Sequence, residues 1–522
     1  MSRGAGVTIG AREVARRVLD RIDKDKAWAT PALDGELARA GLEDRDRRLA
    51  AELVYGVLRH RRRLDRALAA HTKLGKTPPK VLTALRVAAY QLVFLDRVPH
   101  YAVIDDAVSA ARALGGTPLA GFTNAVLRKL ADGGEPALPE STDPLVRLEI
   151  AYSLPRWILD ELSAACRDGV PTLTSVGDPD VRGAQAAAVA GTAAADAVAI
   201  ADLEPVAVAG AVIDARADAA DAVAIAGLAA ATAAADAVGG AGDVTRPQAV
   251  TVTPGDRHTA LSALAEAFAR SAPIVARVNR LRATRDAVAA ELEKAGVPSA
   301  PIAAAPMALR LEGLGDPAKN AAFMAGRWTV QDTGAQCVAI AAAPRPGLRI
   351  LDACAGVGGK STHLAELIDD AGQIDAADLS VTKLGLLAQT ASRLGLRSIR
   401  TITCDLLDPA APLAAAYDLI ILDAPCSGLG VLRRHPDAKW RLQSADVPRL
   451  AQLQRQLLDA VLPRLAPGGT LVYSVCTFTR AEGPEQIAAL VSRSGLELVE
   501  EHRTWPPEAD AFYLARLVRP LA

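Results

Sequence analysis

Between residues 347 and 475, short apolar runs alternate with helix-like runs, and each apolar run ends on an acid or a cysteine. Arg349 to Leu351 leads into Asp352 and the glycine-rich turn Cys354-Ala-Gly-Val-Gly-Gly-Lys360, with a helix expected from Ser361 to Ile368. Gln373 to Ala377 ends on Asp378, and Lys383 to Leu394 is helical. Ser398 to Thr403 ends on Cys404-Asp405, and Tyr417 to Leu422 ends on Asp423. A helix over Leu450 to Leu465 precedes Pro467-Gly-Gly469 and the strand Thr470 to Val475, which delivers Cys476. This alternation predicts a parallel, doubly wound sheet with ligands at the strand carboxyl ends.

The whole chain has 522 residues, too many for one core. Residues 10–130 read as helices: Val14, Val18 and Ile22 recur at four-residue spacing, and Leu53, Val57 and Leu64 share an inward face. Further amphipathic helices are expected over Lys80 to Leu95, Ala102 to Leu114 and Gly121 to Leu130. The Gly/Pro stretch 133–144 reads as a linker, after which a helical pattern resumes around Trp157. Residues 183–240 are low in complexity, with echoes such as Thr192 to Val198 and Thr232 to Val238. Their small side chains bury little area, so a flexible or marginal helical insertion is expected there. The net charge of -1 hides an asymmetry: residues 1–130 carry 24 Lys/Arg against 14 acids, and residues 175–258 carry 4 against 11. A basic helical domain fits a polyanionic partner.

Six cysteines without a CxxC pair and seven scattered histidines give neither a disulfide scaffold nor a metal site. No signal-peptide pattern opens the chain, and the alanine-rich stretch is interrupted by acids, so a cytoplasmic protein without a membrane span is expected. An ATPase is disfavoured, because Cys354 stands where the first glycine of GxxxxGK[ST] would be.

Glycines 356, 358 and 359 would let backbone approach a ligand, or make only a tight turn. Asp378, 26 residues after Asp352, is placed to take ribose hydroxyls or to cap a helix. Cys426, in Asp423-Ala-Pro-Cys426, and Cys476 both follow strands, so their thiols are expected to face one cleft; each could also be a small buried hydrophobe. Arg433, Arg434, His435, Lys439 and Arg441 form a basic cluster, and Arg59, Arg61, Arg62 and Arg63 form another. Both are candidate phosphate contacts, against a plain solvated loop.

These segments resemble bacterial ribosomal RNA cytosine-5 methyltransferases of the Sun/Fmu type. The likeness lies in Glu52 to Arg59, Gly121 to Arg128, Arg327 to Asp332, Asp352 to Lys360, Asp423 to Gly428, Arg433 to Trp440 and Tyr473 to Cys476. It covers about residues 10–165 and 270–520 and leaves 175–258 without a counterpart.

The resemblance implies a multidomain chain. A NusB-like all-α domain spans 1–132, a linker 133–174, the acidic insertion 175–258, a small RNA-facing subdomain 259–330, and a Rossmann-like class I methyltransferase domain 331–522. It implies S-adenosylmethionine as cofactor, held by Asp352, Cys354, Ala355, Gly356, Gly358, Gly359, Lys360, Asp378, Lys383, Asp405 and Asp423. Cys476 is implied as nucleophile, Cys426 as the group assisting release, and Asp423 as the carboxylate on the cytosine edge. RNA contacts are implied at Arg59, Arg61, Arg62, Arg63, Arg277, Asn279, Arg433, Arg434, His435 and Lys439. Small-subunit ribosomal RNA is the expected partner of a monomer.

The chemistry makes independent sense. Cytosine C5 is a poor nucleophile until a thiolate adds at C6, and the base must leave its stack to be reached. One departure stands out: the family has Ala-Pro where this chain has Gly356-Val357, which in principle loosens the cofactor loop by ~0.4–1 kcal/mol. The rivals are the same chemistry on transfer RNA or another ribosomal site, and an RNA-binding assembly factor that has lost catalysis.

Overall fold

A computed structural model describes residues 9–166 and 257–521. The expected insertion lies outside the described residues, except for its last two positions.

Five helices form the N-terminal domain: α1 (Ala11–Asp25), α2 (Ala29–Ala40), α3 (Asp44–Ala69), α4 (Pro79–Phe94) and α5 (His100–Gly133). The four-residue spacing of α1 puts Val14, Val18 and Ile22 into a core shared with Leu53, Val57 and Leu64 of α3. Two helices contain breaks. α5 holds both expected helices, joined where Gly116 takes φ 69°. α3 breaks at His60 (φ -110°, ψ 18°), in the middle of the arginine run.

That break meets the catalytic domain. Leu58 O accepts from Trp440 Nε1 at 2.7 Å, and Arg59 O accepts from Lys439 Nζ at 2.7 Å. Arg59 Nη2 donates in return to Arg433 O at 3.1 Å, and Ala29 N–H donates to Asp437 Oδ2 at 3.0 Å. Arg59 and Lys439 are therefore not phosphate contacts. Both are buried in the joint between domains, and burial beside Arg59 and Arg62 drives the Lys439 pKa well below its usual value. Arg61, Arg62 and Arg63 are half-buried and paired with Asp23, Glu149 and Glu135. Each of these charges has an acid beside it, while all three side chains stay part-exposed.

Helices α6 (Pro144–Ala151) and α7 (Arg156–Ala165) pack with the helix Arg257–Ala269 against Phe478 and Trp505 of the catalytic domain. A small antiparallel sheet follows, of order β2-β3-β1-β4: β1 (Ile274–Val278), β2 (Ser299–Pro301), β3 (Ala308–Leu311) and β4 (Trp328–Val330). Arg277, on β1, is fully buried. It binds Glu366 at 2.7 Å, Thr362 Oγ1 at 3.0 Å and Gly359 O at 2.9 Å. Asn279 is also buried and donates to Gly326 O and Leu394 O, both at 3.0 Å. Neither presents a face to RNA. Both fasten the small domain to the catalytic one, correcting the expectation for this segment.

The catalytic sheet has the order β10-β11-β9-β8-β5-β6-β7. Its strands are β5 (Arg349–Asp352), β6 (Gln373–Asp378), β7 (Ile399–Thr403), β8 (Tyr417–Asp423), β9 (Leu465–Val475), β10 (Glu497–Thr504) and β11 (Phe512–Val518). β5 to β9 run parallel, as expected; β11 is antiparallel to both neighbours, an addition the alternation did not announce. The helices Gly359–Leu367 and Val381–Leu394 pack one face, and Asp446–Val461 and Pro484–Ser494 the other. From β5 the chain winds outward to β7 and then returns to β8 on the other side. That reversal opens a crevice at the carboxyl ends of β5 and β8.

Candidate active site

Asp352 ends β5 and is fully buried. Its Oδ2 accepts from Ser361 Oγ at 2.6 Å, whereas Oδ1 has no protein partner. Burial raises its pKa to about 6, opposed by the Ser361 hydrogen bond and the Lys360 charge.

The glycine loop follows at once. Gly356 N–H donates to Asp378 Oδ2 at 2.9 Å, and Ser380 N–H to Asp378 Oδ1 at 2.8 Å. Asp378 thus braces the loop that lacks the expected proline. A carboxylate has about four acceptor sites, so it keeps capacity for hydroxyl groups. Gly358 takes φ +85° against Leu387, where a side chain would collide, and the helix Gly359–Leu367 begins at the next residue.

Three apolar side chains stand exposed beside these acids. Leu379 is 64% and Val381 69% exposed, flanking Ser380; Leu407 is exposed two residues beyond Asp405. Sequence reasoning passed over them, although large apolar residues directly after strand-end acids were a signal in plain sight. An unpartnered buried acceptor on Asp352, a carboxylate on Asp378 and an exposed apolar face suit a cofactor carrying an amine, a ribose and a flat base. Lys383 is 3% exposed beneath this rim, and Asp405 accepts from Leu407 N–H at 2.9 Å. Cys354 and Ala355 lie in the loop after β5, half-buried and buried.

Asp423 ends β8. Its Oδ1 accepts from Ser474 Oγ at 2.6 Å, and its Oδ2 pairs with Lys360. Burial opposes the Lys360 charge, yet Asp423, Cys476 and Asp352 together raise its pKa. Cys476 follows β9, and Cys426 lies in the loop after β8. Their sulfurs are 3.3 Å apart. Parallel pairing of β8 with β9 sets Asp423 opposite Ser474, so both thiols leave the sheet on the same edge.

The second basic cluster is structural. Arg433 is buried and donates to Pro507 O at 3.0 Å and Ala509 O at 3.3 Å. Arg434 reaches Asp332 at 2.7 Å and also binds Asp510; burial opposes its charge, but these two acids raise its pKa. Neither guanidinium is an RNA contact, because each is spent inside the protein. His435 is half-buried in the same turn, its N–H bonded to Val431 O at 3.0 Å.

Glu482 was missed entirely. It is fully buried and gathers the loops of both cysteines around one carboxylate. Its one sequence signal is an acid standing just before Gly483-Pro484, where the next helix starts.

Comparison with known proteins gives the family. Residues 339–518 match the family described as 16S rRNA methyltransferase RsmB/F, residues 10–132 the NusB family, and residues 257–316 the ferredoxin-like domain of RsmF/B-like methyltransferases. A probable ribosomal RNA small subunit methyltransferase B of Synechocystis sp. is 30% identical over 96% of this chain and 91% of its own length. One from Bacillus subtilis is 30% identical over 95% and 90%. The solved structure of PH0851 shares the fold, with a TM-score of 0.67 and 19% identity over 98% of this chain and 99% of its own. With a relative matched at that identity across almost its whole length, and an RsmB/F catalytic domain joined to a NusB domain, this chain belongs to the RsmB/F family of RNA methyltransferases.

Proposed function

We propose that this enzyme transfers a methyl group from S-adenosylmethionine to C5 of one cytosine in 16S ribosomal RNA, through a bond between Cys476 and C6. The observation that carries this reading is the pair of thiols, 3.3 Å apart, beside the Lys360–Asp423 pair at the crevice between β5 and β8.

Asp423, fixed by Ser474 and Lys360, faces the cytosine edge and accepts from the exocyclic amine. Lys360 places a positive charge beside the attacking sulfur, since Cys476 is among the groups that hold the ammonium charged. Cys476 thiolate adds to C6, and the electron pair of the C5–C6 double bond moves toward C5. S-adenosylmethionine, when bound, supplies an electrophilic methyl group on a sulfonium. Asp352, the 356–359 loop, Asp378, Lys383 and Asp405 would hold it, with Leu379, Val381 and Leu407 against its base. Once C5 carries the methyl, its proton passes to Cys426 in its thiolate form, directly or through one water, leaving a thiol there. The C5–C6 double bond re-forms and expels the Cys476 thiolate.

Names of relatives point to small-subunit ribosomal RNA, and thiols half-buried at the strand ends call for an extruded base. Unmodified 16S RNA with labelled S-adenosylmethionine is the test. Label in 5-methylcytidine is expected. Label confined to transfer RNA would refute the address, and no label despite cofactor binding would refute the reaction.

A further inference from the structure

Glu482 stands six residues after Cys476 and is enclosed by protein on every side. Its Oε1 accepts from Ser427 N–H at 2.7 Å and from Gln454 Nε2 at 3.1 Å. Its Oε2 accepts from Ser427 Oγ at 2.6 Å and from Thr479 Oγ1 at 2.8 Å. Four donors fill the roughly four lone-pair sites of an ionised carboxylate, leaving none for a substrate. Ser427 directly follows Cys426, and Thr477 directly follows Cys476; their hydroxyls meet at 2.9 Å. Gln454 also donates to Pro425 O at 2.9 Å, on the other side of Cys426. The carboxylate therefore grips the chain on both sides of one thiol and just beyond the other.

The two cysteines differ in what else holds them. Cys476 is carried by β9, a strand inside the sheet. Cys426 sits in an irregular loop held by backbone bonds at Ala424 and Gly430, and between those two points by these side-chain bonds. Loss of the carboxylate would strand buried donors and free the loop, while the strand keeps Cys476 in place.

We propose that Glu482 is a positioning residue: through Ser427, Thr479 and Gln454 it fixes the Cys426 loop against the Cys476 loop and so sets the spacing of the two thiols. Its effect on turnover rests on the methyl-transfer reading above; its effect on spacing does not. Attack by Cys476 survives its loss, and release of the product is what slows.

The full-length protein tests this in two arms. Phenylarsine oxide bridges two close thiols, its oxygen leaving as water with both thiol protons, and mass spectrometry locates the bridge. Wild type and Glu482→Gln are expected to bridge Cys426 to Cys476 at similar rates, because the amide can donate to hydroxyls that turn to accept. Glu482→Ala is expected to bridge about tenfold more slowly or worse, with alkylation of Cys476 by iodoacetamide unchanged. In the second arm, Glu482→Ala with 16S RNA and S-adenosylmethionine should show a lower kcat, a KM that falls with it and a longer-lived covalent protein–RNA band, and Glu482→Gln should restore release. Should Glu482→Ala fail to fold, the S427A/T479V double variant, which strips both hydroxyl donors from Oε2, carries the same comparison. Bridging at the wild-type rate in a folded Glu482→Ala or S427A/T479V protein overturns the proposal, as does a wild type that cannot be bridged. Slow bridging with no RNA adduct in any variant upholds the spacing role and overturns the methyl-transfer reading instead.

Discussion

At the residue scale the site separates groups that react from groups that hold. Cys476→Ala is expected to abolish both methylation and the covalent RNA species, whereas Cys426→Ala should keep attack and accumulate that species, read on a denaturing gel. The opposite pattern would exchange the two roles. Asp352 gives a pH signature. Its pKa is raised to about 6 in the folded protein by burial. Between roughly pH 4, where the unfolded side chain ionises, and pH 6, the folded state keeps a proton that the unfolded chain has released. Stability from this group is therefore present at low pH and lost as pH rises through that window, by on the order of 3 kcal/mol. Asp352→Asn removes the dependence and can still accept from Ser361. Its urea midpoint relative to wild type should rise between about pH 4.5 and pH 7.5; a constant difference would contradict the assignment. The acid and thiol positions were legible because each ends an apolar run. Glu482 was not, because what marks it is donors from Ser427 and Gln454, 55 and 28 residues away.

At the element scale, periodicity located the five parallel strands and many of the helices, but not α2 or the helix Pro484–Ser494, nor where a helix would break. α3 breaks at His60, within its arginine run, and continues, and the carbonyls just before the break become acceptors for another domain. β10 and β11 had no signal in the strand–helix alternation, since an antiparallel pair needs no helix between its strands. The loop after Cys426 depends on them. Gly430 N–H donates to Cys476 O at 3.0 Å, and Gly430 O accepts from Ala511 N–H at 3.0 Å. A side chain at 430 would collide with the Ala511 carbonyl at the start of β11. Gly430→Ala is therefore expected to cost about 1–3 kcal/mol in urea unfolding and to lower turnover more than cofactor affinity. Unchanged stability and rate would show that the loop can move aside freely.

At the scale of the molecule, the basic runs do not form one RNA face. They split between a joint and a surface. Trp440 lies in the joint, its indole N–H on Leu58 O and the Arg61 guanidinium 5.7 Å from its ring. Trp440→Ala should weaken the docking of the helical domain by about 1–3 kcal/mol. Calorimetry should then resolve two transitions, and protease should cut sooner within 133–144; one unbroken transition would speak against the joint. Exposed Lys73, Lys76 and Lys80 remain available to a polyanion. Neutralising them should lower the logarithmic salt slope of RNA affinity by ~0.7–0.9 for each phosphate they had neutralised. An unaltered slope would place the RNA on another face.

The sequence by itself determined the alternation of strands and helices, the acids and thiols at strand ends, and the chemistry those groups can perform, because each is written in local order and side-chain type. Only the tertiary structure decided which charges answer one another. Arg59 meets a carbonyl 374 residues away, and Arg277 meets Glu366 across 89 residues. A run of arginines has the same local pattern whether it faces phosphate, water or a buried carboxylate. The free energy that chooses among them comes from desolvation and partners brought together by folding.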